Sequence, residues 1–267
     1  MGFKFDRLME LAKEHGEEYQ NKKPYPYIYL DDVVDAEALK SAYDAFPEPD
    51  ETFYSYQNPL EKKFAKDNIY ELPKEITSIL AEMNSPKFLL FLETLTGIEG
   101  LVPDPYFRGG GIHAMGRGFK LDVHIDFNKH PKLKLDRRLN VLLFPVEEWK
   151  EEWNGDFQVW EGKLEGKKHN LIELKERVFP KFNRMVIFST SERSYHGVPE
   201  LINCPENVLR KSLATYYYTA GRDDIFQEWQ PHSTTYVKRP SDQDDLDELR
   251  EKRNMGRLNS NTKGLIN

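Results

Sequence analysis

Between residues 100 and 220 the chain repeats one local pattern, in which short runs rich in β-branched and aromatic residues are separated by turn-forming residues. Runs of this length and composition predict β-strands. Several short strands at such spacing, without helical segments between them, favour a sandwich or barrel over alternating β–α units. The predicted strands lie in GGGIHAM, FKLDVHID, RRLNVLLF, DFQVWE, RMVIFS and RKSLATYYYTA.

The two flanking regions are predicted to be mostly helical. Helices are predicted over residues 4–20, 35–46 and 73–97, the last broken near residue 85, with a short strand over 25–30. Ser241 can cap a C-terminal helix over DQDDLDELREKR, whose charges match the helix macrodipole. We therefore divide the chain into a mostly helical support region (1–98), a β-rich core (99–222) and a C-terminal extension (223–267).

Composition narrows the class of protein. The chain has 267 residues, a net charge of −7 and a single cysteine, Cys204. No basic stripe indicates a nucleic-acid partner. No apolar run approaches the roughly 18 residues of a membrane span, and the N-terminus lacks the apolar core of a signal peptide. A cytoplasmic protein without nucleic-acid or membrane partners is expected, and its oligomeric state stays open.

The segment FKLDVHID predicts a metal site. In a strand, residues two apart point to the same side, so His124 and Asp126 can reach one ion from one backbone segment. His196 follows another predicted strand, RMVIFST. Two histidines and one carboxylate form the facial triad of non-haem Fe(II) oxygenases, which leaves coordination positions open. His130 lies outside the register of the strand and is not expected to bind the ion.

A second motif, fourteen residues after His196, points to a co-substrate. Arg210 and Ser212 share a strand face, and a guanidinium beside a hydroxyl is well shaped to hold a carboxylate. Combined with the predicted triad, this pattern indicates a 2-oxoglutarate site in which Arg210 binds the distant carboxylate.

The motifs together resemble the prolyl 4-hydroxylase-like branch of the Fe(II)/2-oxoglutarate-dependent oxygenases. The resemblance covers under half of the chain, from about Gly109 to Tyr218. It runs in order through GGGIHAMGRGFKLDVHIDFN, LDRRLNVLLFPVEEWKEEWNGDFQVWE, PKFNRMVIFSTSERSYHGVPE and RKSLATYYYT.

The resemblance implies a mainly β, α+β fold with a double-stranded β-helix (jelly-roll) core and helices packed outside. It implies that His124, Asp126 and His196 bind iron and are catalytic, and that Arg210 binds 2-oxoglutarate. The expected activity is a dioxygenase that uses O2 to hydroxylate an unactivated C–H bond, releasing succinate and CO2, with ascorbate as a candidate reductant. Asp126 favours hydroxylation over halogenation, because halogenating relatives replace this carboxylate with a small residue.

One departure concerns the co-substrate. Many relatives carry a tyrosine that helps to hold it where Phe144 stands here, and Ser212 or Asn140 is expected to substitute. The substrate stays open among a small molecule, a free amino acid and a peptidyl residue.

Two alternatives are a cupin-like metalloenzyme without 2-oxoglutarate and a catalytically silent jelly-roll module. The absence of a His-x-His pair argues against the first. The presence of all four expected residues argues against the second.

Overall fold

The computed structural model describes residues 2–222 and 230–255. Five helices occur in this part of the chain: α1 (Phe5–Asn21), α2 (Ala36–Asp44), α3 (Lys74–Met83), α4 (Pro86–Thr96) and α5 (Asp247–Asn254). The strands are β1 (Tyr27–Asp31), β2 (Tyr54–Asn58), β3 (Glu61–Lys66), β4 (Val102–Pro103), β5 (Gly111–Met115), β6 (Leu121–Ile125), β7 (Asp136–Phe144), β8 (Phe157–Glu165), β9 (Lys168–Val178), β10 (Arg184–Ser189), β11 (Tyr195–Val198), β12 (Arg210–Thr219) and β13 (Thr235–Tyr236).

The strands form one antiparallel system in the order β1-β10-β7-β12-β5-β3-β6-β11-β8-β9, with β2 paired to β3, β4 to β12 and β13 to β6. This path closes almost completely into a jelly-roll core, which confirms the predicted α+β class with its mainly β core. Strand β3 pairs with both β5 and β6. It thereby joins the β1-β10-β7-β12-β5 half to the β6-β11-β8-β9 half.

Strand β12 separates the helical layer from the interior of the jelly roll. All of its residues are buried. Leu213 and Tyr217 belong to the apolar cluster shared with the helices, whereas Ala214 and Tyr216 belong to a different cluster. Because side chains alternate along a strand, Arg210 and Ser212 lie on the interior face with Ala214.

The helices pack on the outside of this layer. In α4, the Ser85 side chain accepts the N–H of Phe88, and Gly97 ends the helix in the left-handed conformation, φ +70°. The ring of Phe88 stacks on Tyr217 of β12 at 6.2 Å between centroids. No helix in residues 2–222 and 230–255 is both long and apolar enough to cross a membrane.

The structure agrees with the predicted helices of the first hundred residues and with the strand near residue 27, but it adds two strands there. β2 and β3 form a hairpin within a region expected to be mostly helical. The sequence of β3, EKKFAK, carries too many charges to display a strand pattern, although Glu61 and Lys66 are buried in the structure.

The C-terminal helix starts later than predicted, at Asp247 instead of directly after Ser241. The Asp242 side chain accepts the backbone N–H of Arg239 and pairs with its guanidinium, which holds this segment in a turn. Arg250 of the helix is buried against Asp122 at 3.3 Å, so its face is not entirely solvated.

Strand β6 departs from the strict alternation expected for FKLDVHID. Its pairing with β11 places His124 opposite His196 and Leu121 opposite Val198, with a register shift between these two pairs. Leu121 therefore packs against the cluster that contains Phe188, while Val123 and Ile125 pack in another cluster. The irregularity lies two residues from the predicted ligand His124.

Candidate active site

The three predicted metal ligands meet at one point. His124 lies on β6, His196 faces it from the neighbouring strand β11, and Asp126 directly follows the end of β6. One potential ligand atom of each side chain lies within 4.8 Å of the others, and this is the group of three such residues found among the described residues. The separate segments predicted from sequence are thus brought together.

Both imidazoles are oriented by backbone carbonyls. His124 Nδ1 lies 2.8 Å from the carbonyl oxygen of Asp122, and His196 Nδ1 lies 2.8 Å from that of Ser194. A carbonyl can only accept, so both Nδ1 atoms donate and both Nε2 atoms carry the lone pair that binds a metal. Burial lowers the pKa of His196, which favours the neutral form that coordination needs.

Asp126 is the carboxylate between the two rings. Its Oδ1 lies 3.6 Å from His124 Nε2, and its Oδ2 lies 3.3 Å from His196 Nε2. Burial alone would raise the pKa of Asp126, but the Arg137 charge and His196 outweigh burial and hold it well below its usual range. The side chain is therefore an anion, the form in which a carboxylate binds a metal.

Two residues of β7 hold the Asp126 carboxylate in position. Asn140 donates an amide N–H to Asp126 Oδ2 at 2.7 Å, and Arg137 Nε donates to Asn140 Oδ1 at 2.8 Å. The Arg137 guanidinium also lies 3.5 Å from Asp126 Oδ2. It lies 4.4 Å from the ring centre of Phe127 and 3.6 Å from that of Tyr216, so its orientation is fixed by two aromatic faces.

The donor set fits iron. Two imidazole nitrogens and one carboxylate are the ligands of non-haem Fe(II) oxygenases, and they leave room for a co-substrate and a gas. His124 and His196 are about 5% exposed or less, so they are shielded from bulk water. Fe(II) is the metal that this arrangement suits.

Arg210 lies on the interior face of β12 and forms no ion pair with the described residues. Its Nε donates to the carbonyl oxygen of Gly155 at 2.6 Å, while its Nη2 is buried without an acceptor among the described residues. Burial lowers the pKa of Arg210 to about 10, and Asp156 opposes that shift only in part. A buried guanidinium in this condition is a site for a carboxylate, which matches the distant carboxylate of 2-oxoglutarate.

The Arg210 side chain is tightly packed. Its guanidinium lies 4.8 Å from the centre of the Phe144 ring. Gly155 has φ +89°, and a Cβ there would lie 3.2 Å from Arg210 Cδ and from the Trp149 ring. Glycine at 155 therefore allows the backbone carbonyl to approach the guanidinium.

The structure distinguishes the two residues expected to replace the family tyrosine. Ser212 is buried on the same face as Arg210 and lies opposite His113 of β5. Asn140 places its amide on Asp126 and not beside Arg210. A co-substrate role for Ser212 and for Asn140 stays a prediction, and the observed contact of Asn140 is with the metal ligand.

His130, which the sequence analysis set aside, and His232 have other partners. His130 is buried 3.3 Å from Asp104 and accepts backbone N–H groups of Lys132 and Leu133. His232 pairs with Glu192 at 2.9 Å.

Sequence reasoning missed Arg137. Its only signal was a charged pair, Arg137-Arg138, at the start of an otherwise apolar strand. Strict alternation from Asn140 would have selected Arg138, but a register shift in the pairing of β7 with β12 turns Arg137 inward instead.

A family model matches part of the chain. Residues 110–218 match the family model of the 2OG-Fe(II) oxygenase superfamily. This range contains all three predicted metal ligands and Arg210. A search of curated proteins finds no match.

Solved structures share the fold at low sequence identity. A prolyl-4-hydroxylase from Pseudomonas putida matches with a TM-score of 0.50 and 13% identity, over 80% of this chain and 100% of its own. A prolyl 4-hydroxylase from Phytophthora capsici matches with a TM-score of 0.52 and 19% identity, over 96% of this chain and 76% of its own. A prolyl hydroxylase from Trichoplax adhaerens, solved with a hypoxia inducible factor peptide, has a TM-score of 0.51 and 14% identity, over 80% and 90% of the two chains.

Proposed function

We propose which residues hold the metal and the co-substrate in this 2-oxoglutarate-dependent dioxygenase of the hydroxylase class, whose residues 110–218 match the family model of the 2OG-Fe(II) oxygenase superfamily. His124, Asp126 and His196 hold Fe(II), and Arg210 holds the distant carboxylate of 2-oxoglutarate. The observation that carries this assignment is the convergence of two Nε2 lone pairs and one carboxylate at a buried point.

Each ligand has a defined task. When bound, Fe(II) with 2-oxoglutarate and O2 would supply the oxidising chemistry that converts an unactivated C–H bond to an alcohol, one oxygen atom entering the product and the other the succinate that is released with CO2. The imidazoles of His124 and His196 present their Nε2 atoms because their Nδ1 protons are held by backbone carbonyls. Asp126 supplies the negative charge, and Asn140 keeps its carboxylate plane oriented.

Arg210 orients the co-substrate. Its unpaired Nη2 supports the assignment because a carboxylate would supply the missing acceptor and compensate the buried charge. Ser212, on the same face, is the nearest candidate on β12 for a second donor, and Asn140 is the other candidate named from the sequence.

The substrate is a small molecule, an amino acid or a peptidyl residue. The relative from Trichoplax adhaerens was solved with a peptide fragment, which keeps a peptidyl substrate among the candidates. We expect a cytoplasmic protein that contacts neither nucleic acid nor membranes, as its composition suggests.

The test is an anaerobic titration of the metal-free protein with Fe(II) and then with 2-oxoglutarate. We expect iron to bind first and the visible charge-transfer band of a chelated keto acid to appear in the second step. Iron binding without the band would favour the cupin-like alternative, and no iron binding would favour the silent module.

Two variants separate the assigned roles. Asp126→Ala is expected to abolish iron binding and succinate formation. Arg210→Ala is expected to retain iron while raising the 2-oxoglutarate concentration needed for the band at least tenfold, since a charge-assisted pair is lost. Unchanged co-substrate affinity in Arg210→Ala would show that another cation holds it. Arg7→Ala, at an exposed position on α1, is the matched control.

A further inference from the structure

A second charged cluster lies beside the metal site and is not used by the chemistry described above. It consists of Glu61 and Lys63 on β3, Tyr236 on β13 and Arg253 on α5. Glu61 is 3% exposed, although it is a carboxylate on a strand between the two halves of the jelly roll. Charged groups are rarely buried this far unless they are paired or needed for binding.

The cluster is connected to a metal ligand through Tyr236. This residue lies opposite His124 in the β13–β6 pair, and the centres of the two rings are 5.6 Å apart. The Tyr236 hydroxyl donates to Glu61 Oε2 at 2.7 Å. The cluster therefore begins one side chain away from the metal site.

Lys63 lies on the same interior face as Arg210. Ala65 lies opposite His113, and His113 lies opposite Ser212, so these residues form one row across β3, β5 and β12. Lys63 lies two residues before Ala65, and Arg210 lies two residues before Ser212. Because faces alternate along a strand, both side chains point to the same side as the row. Their strands are separated by only β5, a distance of about 10 Å at the usual strand spacing.

The charges of the cluster do not balance. Glu61 Oε1 lies 3.1 Å from Lys63 Nζ, and Glu61 Oε2 lies 3.5 Å from Arg253. One carboxylate thus serves two cations, and the Nε of Arg253 is buried without an acceptor among the described residues. Lys63 also lies 4.8 Å from the Tyr56 ring centre, which directs its ammonium along an aromatic wall.

The neighbouring histidine does not supply another charge to this wall. Burial and then the nearby Lys63 and Arg210 charges lower the pKa of His113 to about 3, so its imidazole is neutral. Arg210 is assigned to the co-substrate, which leaves Lys63 as the cation on this face, within the described interior, that is available to a second ligand.

We propose that the primary substrate is a small molecule with a carboxylate, and that this carboxylate binds Lys63 beside the metal site. Glu61 is a positioning residue, because its two oxygens hold the Lys63 ammonium, the Tyr236 hydroxyl and the Arg253 guanidinium in place. The excess positive charge of the cluster is what the substrate carboxylate neutralises. The proposal rests on the assignment of Arg210 to 2-oxoglutarate and narrows the substrate class.

The experiment uses the full chain under anaerobic conditions, saturated with Fe(II) and 2-oxoglutarate. The probes are the free L-amino acids, each paired with its carboxamide, which keeps the amine and removes the acid. Binding is measured through the shift of the charge-transfer band. We expect at least one acid to bind about tenfold or more tightly than its amide, the difference that a charge-assisted contact supplies.

Variants of β3 identify the residue responsible. Lys63→Met keeps the apolar stem and is expected to reduce the acid-to-amide ratio to about one, while the 2-oxoglutarate dissociation constant stays unchanged. Lys63→Arg is expected to retain the preference. Lys62→Met, the adjacent lysine on the opposite face of β3, is the matched control and is expected to behave as wild type.

Four results would overturn the proposal: no acid binds, acids and amides bind equally, Lys63→Met keeps the preference, or Lys63→Met weakens 2-oxoglutarate instead. The last would assign Lys63 to the co-substrate. Failure of the unmodified protein to form the band at all would instead refute the proposed function, so the two failures are distinguishable.

Discussion

Asp126 receives hydrogen bonds that iron itself does not require. Oδ2 accepts from Asn140, which is held in turn by Arg137, and Arg137 is clamped between Phe127 and Tyr216. Such outer contacts orient a ligand and commonly change metal affinity by about 10–100-fold when removed. At the residue scale, the proposed metal site therefore extends at least two side chains beyond its candidate ligands.

Removal of the Asn140 amide tests this extension. We expect Asn140→Ala to raise the Fe(II) dissociation constant by about 10–100-fold, because Asp126 loses the donor that orients it. Anaerobic metal titration measures the change. Asn21→Ala, an exposed amide at the end of α1, is the control, and equal affinities for the two variants would contradict the prediction.

The two buried arginines of the site are expected to differ in their effect on stability. Arg210 forms no ion pair with the described residues, and Asp156 offsets its burial only in part, so Arg210→Met should not lower the free energy of unfolding and should raise it by up to about 2 kcal/mol. Arg137 compensates Asp126, so Arg137→Met should lower it by about 3–5 kcal/mol.

Urea denaturation of the metal-free protein without 2-oxoglutarate measures both variants. A loss of stability in Arg210→Met similar to that in Arg137→Met would show that Arg210 is already compensated in the free protein.

At the scale of elements, helix α4 shows how the outer layer supports the jelly roll. Leu92 is completely buried in the cluster shared with β12, whereas Leu90 on the same helix is 56% exposed. The helix thus presents one face to the core, and its contribution to the site is indirect because it packs behind β12.

These two leucines form a matched pair. Leu92→Ala should lower the free energy of unfolding by about 2–5 kcal/mol, since it leaves a cavity in the core. Leu90→Ala should change it by less than about 0.5 kcal/mol. Urea denaturation reports the difference, and similar losses at both positions would contradict the orientation of α4.

The segment before β13 is fastened by a titratable pair. His232 contacts Glu192 at 2.9 Å, and its backbone N–H donates to Asn128 Oδ1. Burial alone would lower the pKa of His232, but Glu192 outweighs burial and raises it. The same contact lowers the pKa of Glu192 against its burial.

The sign of the pH dependence follows from these shifts. A raised pKa in the folded state means that His232 contributes stability below about pH 6.5, and that this contribution disappears as pH rises through the raised value. Glu192 loses its contribution only as pH falls below its ordinary range, near 4.5.

We expect the stability difference between wild type and His232→Gln to be largest near pH 6 and to shrink towards alkaline pH. Urea denaturation across the pH range measures the difference. In a Glu192→Gln background the difference should become flat, and an increase with pH would contradict the assignment.

At the scale of the whole molecule, the sequence predicted the β-rich core because β7, β10 and β12 are apolar enough to display their pattern. The candidate ligands could be named from sequence because His124 and Asp126 lie close together on one segment, His196 follows a predicted strand and Arg210 begins another. β3 was missed because EKKFAK buries charged residues, and such burial depends on partners from β13 and α5. Arg137 and Lys63 were missed for the same reason, because the roles proposed for them depend on contacts with residues far away in the sequence.

The position of β3 constrains how the core can fold during synthesis and whether a fragment of it can be expressed alone. During synthesis, this strand emerges before both of the strands that it later joins. Until they are made, only its hairpin partner β2 is available for pairing. A gene fragment that covers residues 110–218 would encode the metal ligands and Arg210 yet leave the facing edges of β5 and β6 bare, which invites aggregation. The region that matches the family model is therefore not expected to fold on its own, and recombination that separates it from the β2–β3 hairpin would remove the strand that joins the two halves of the jelly roll.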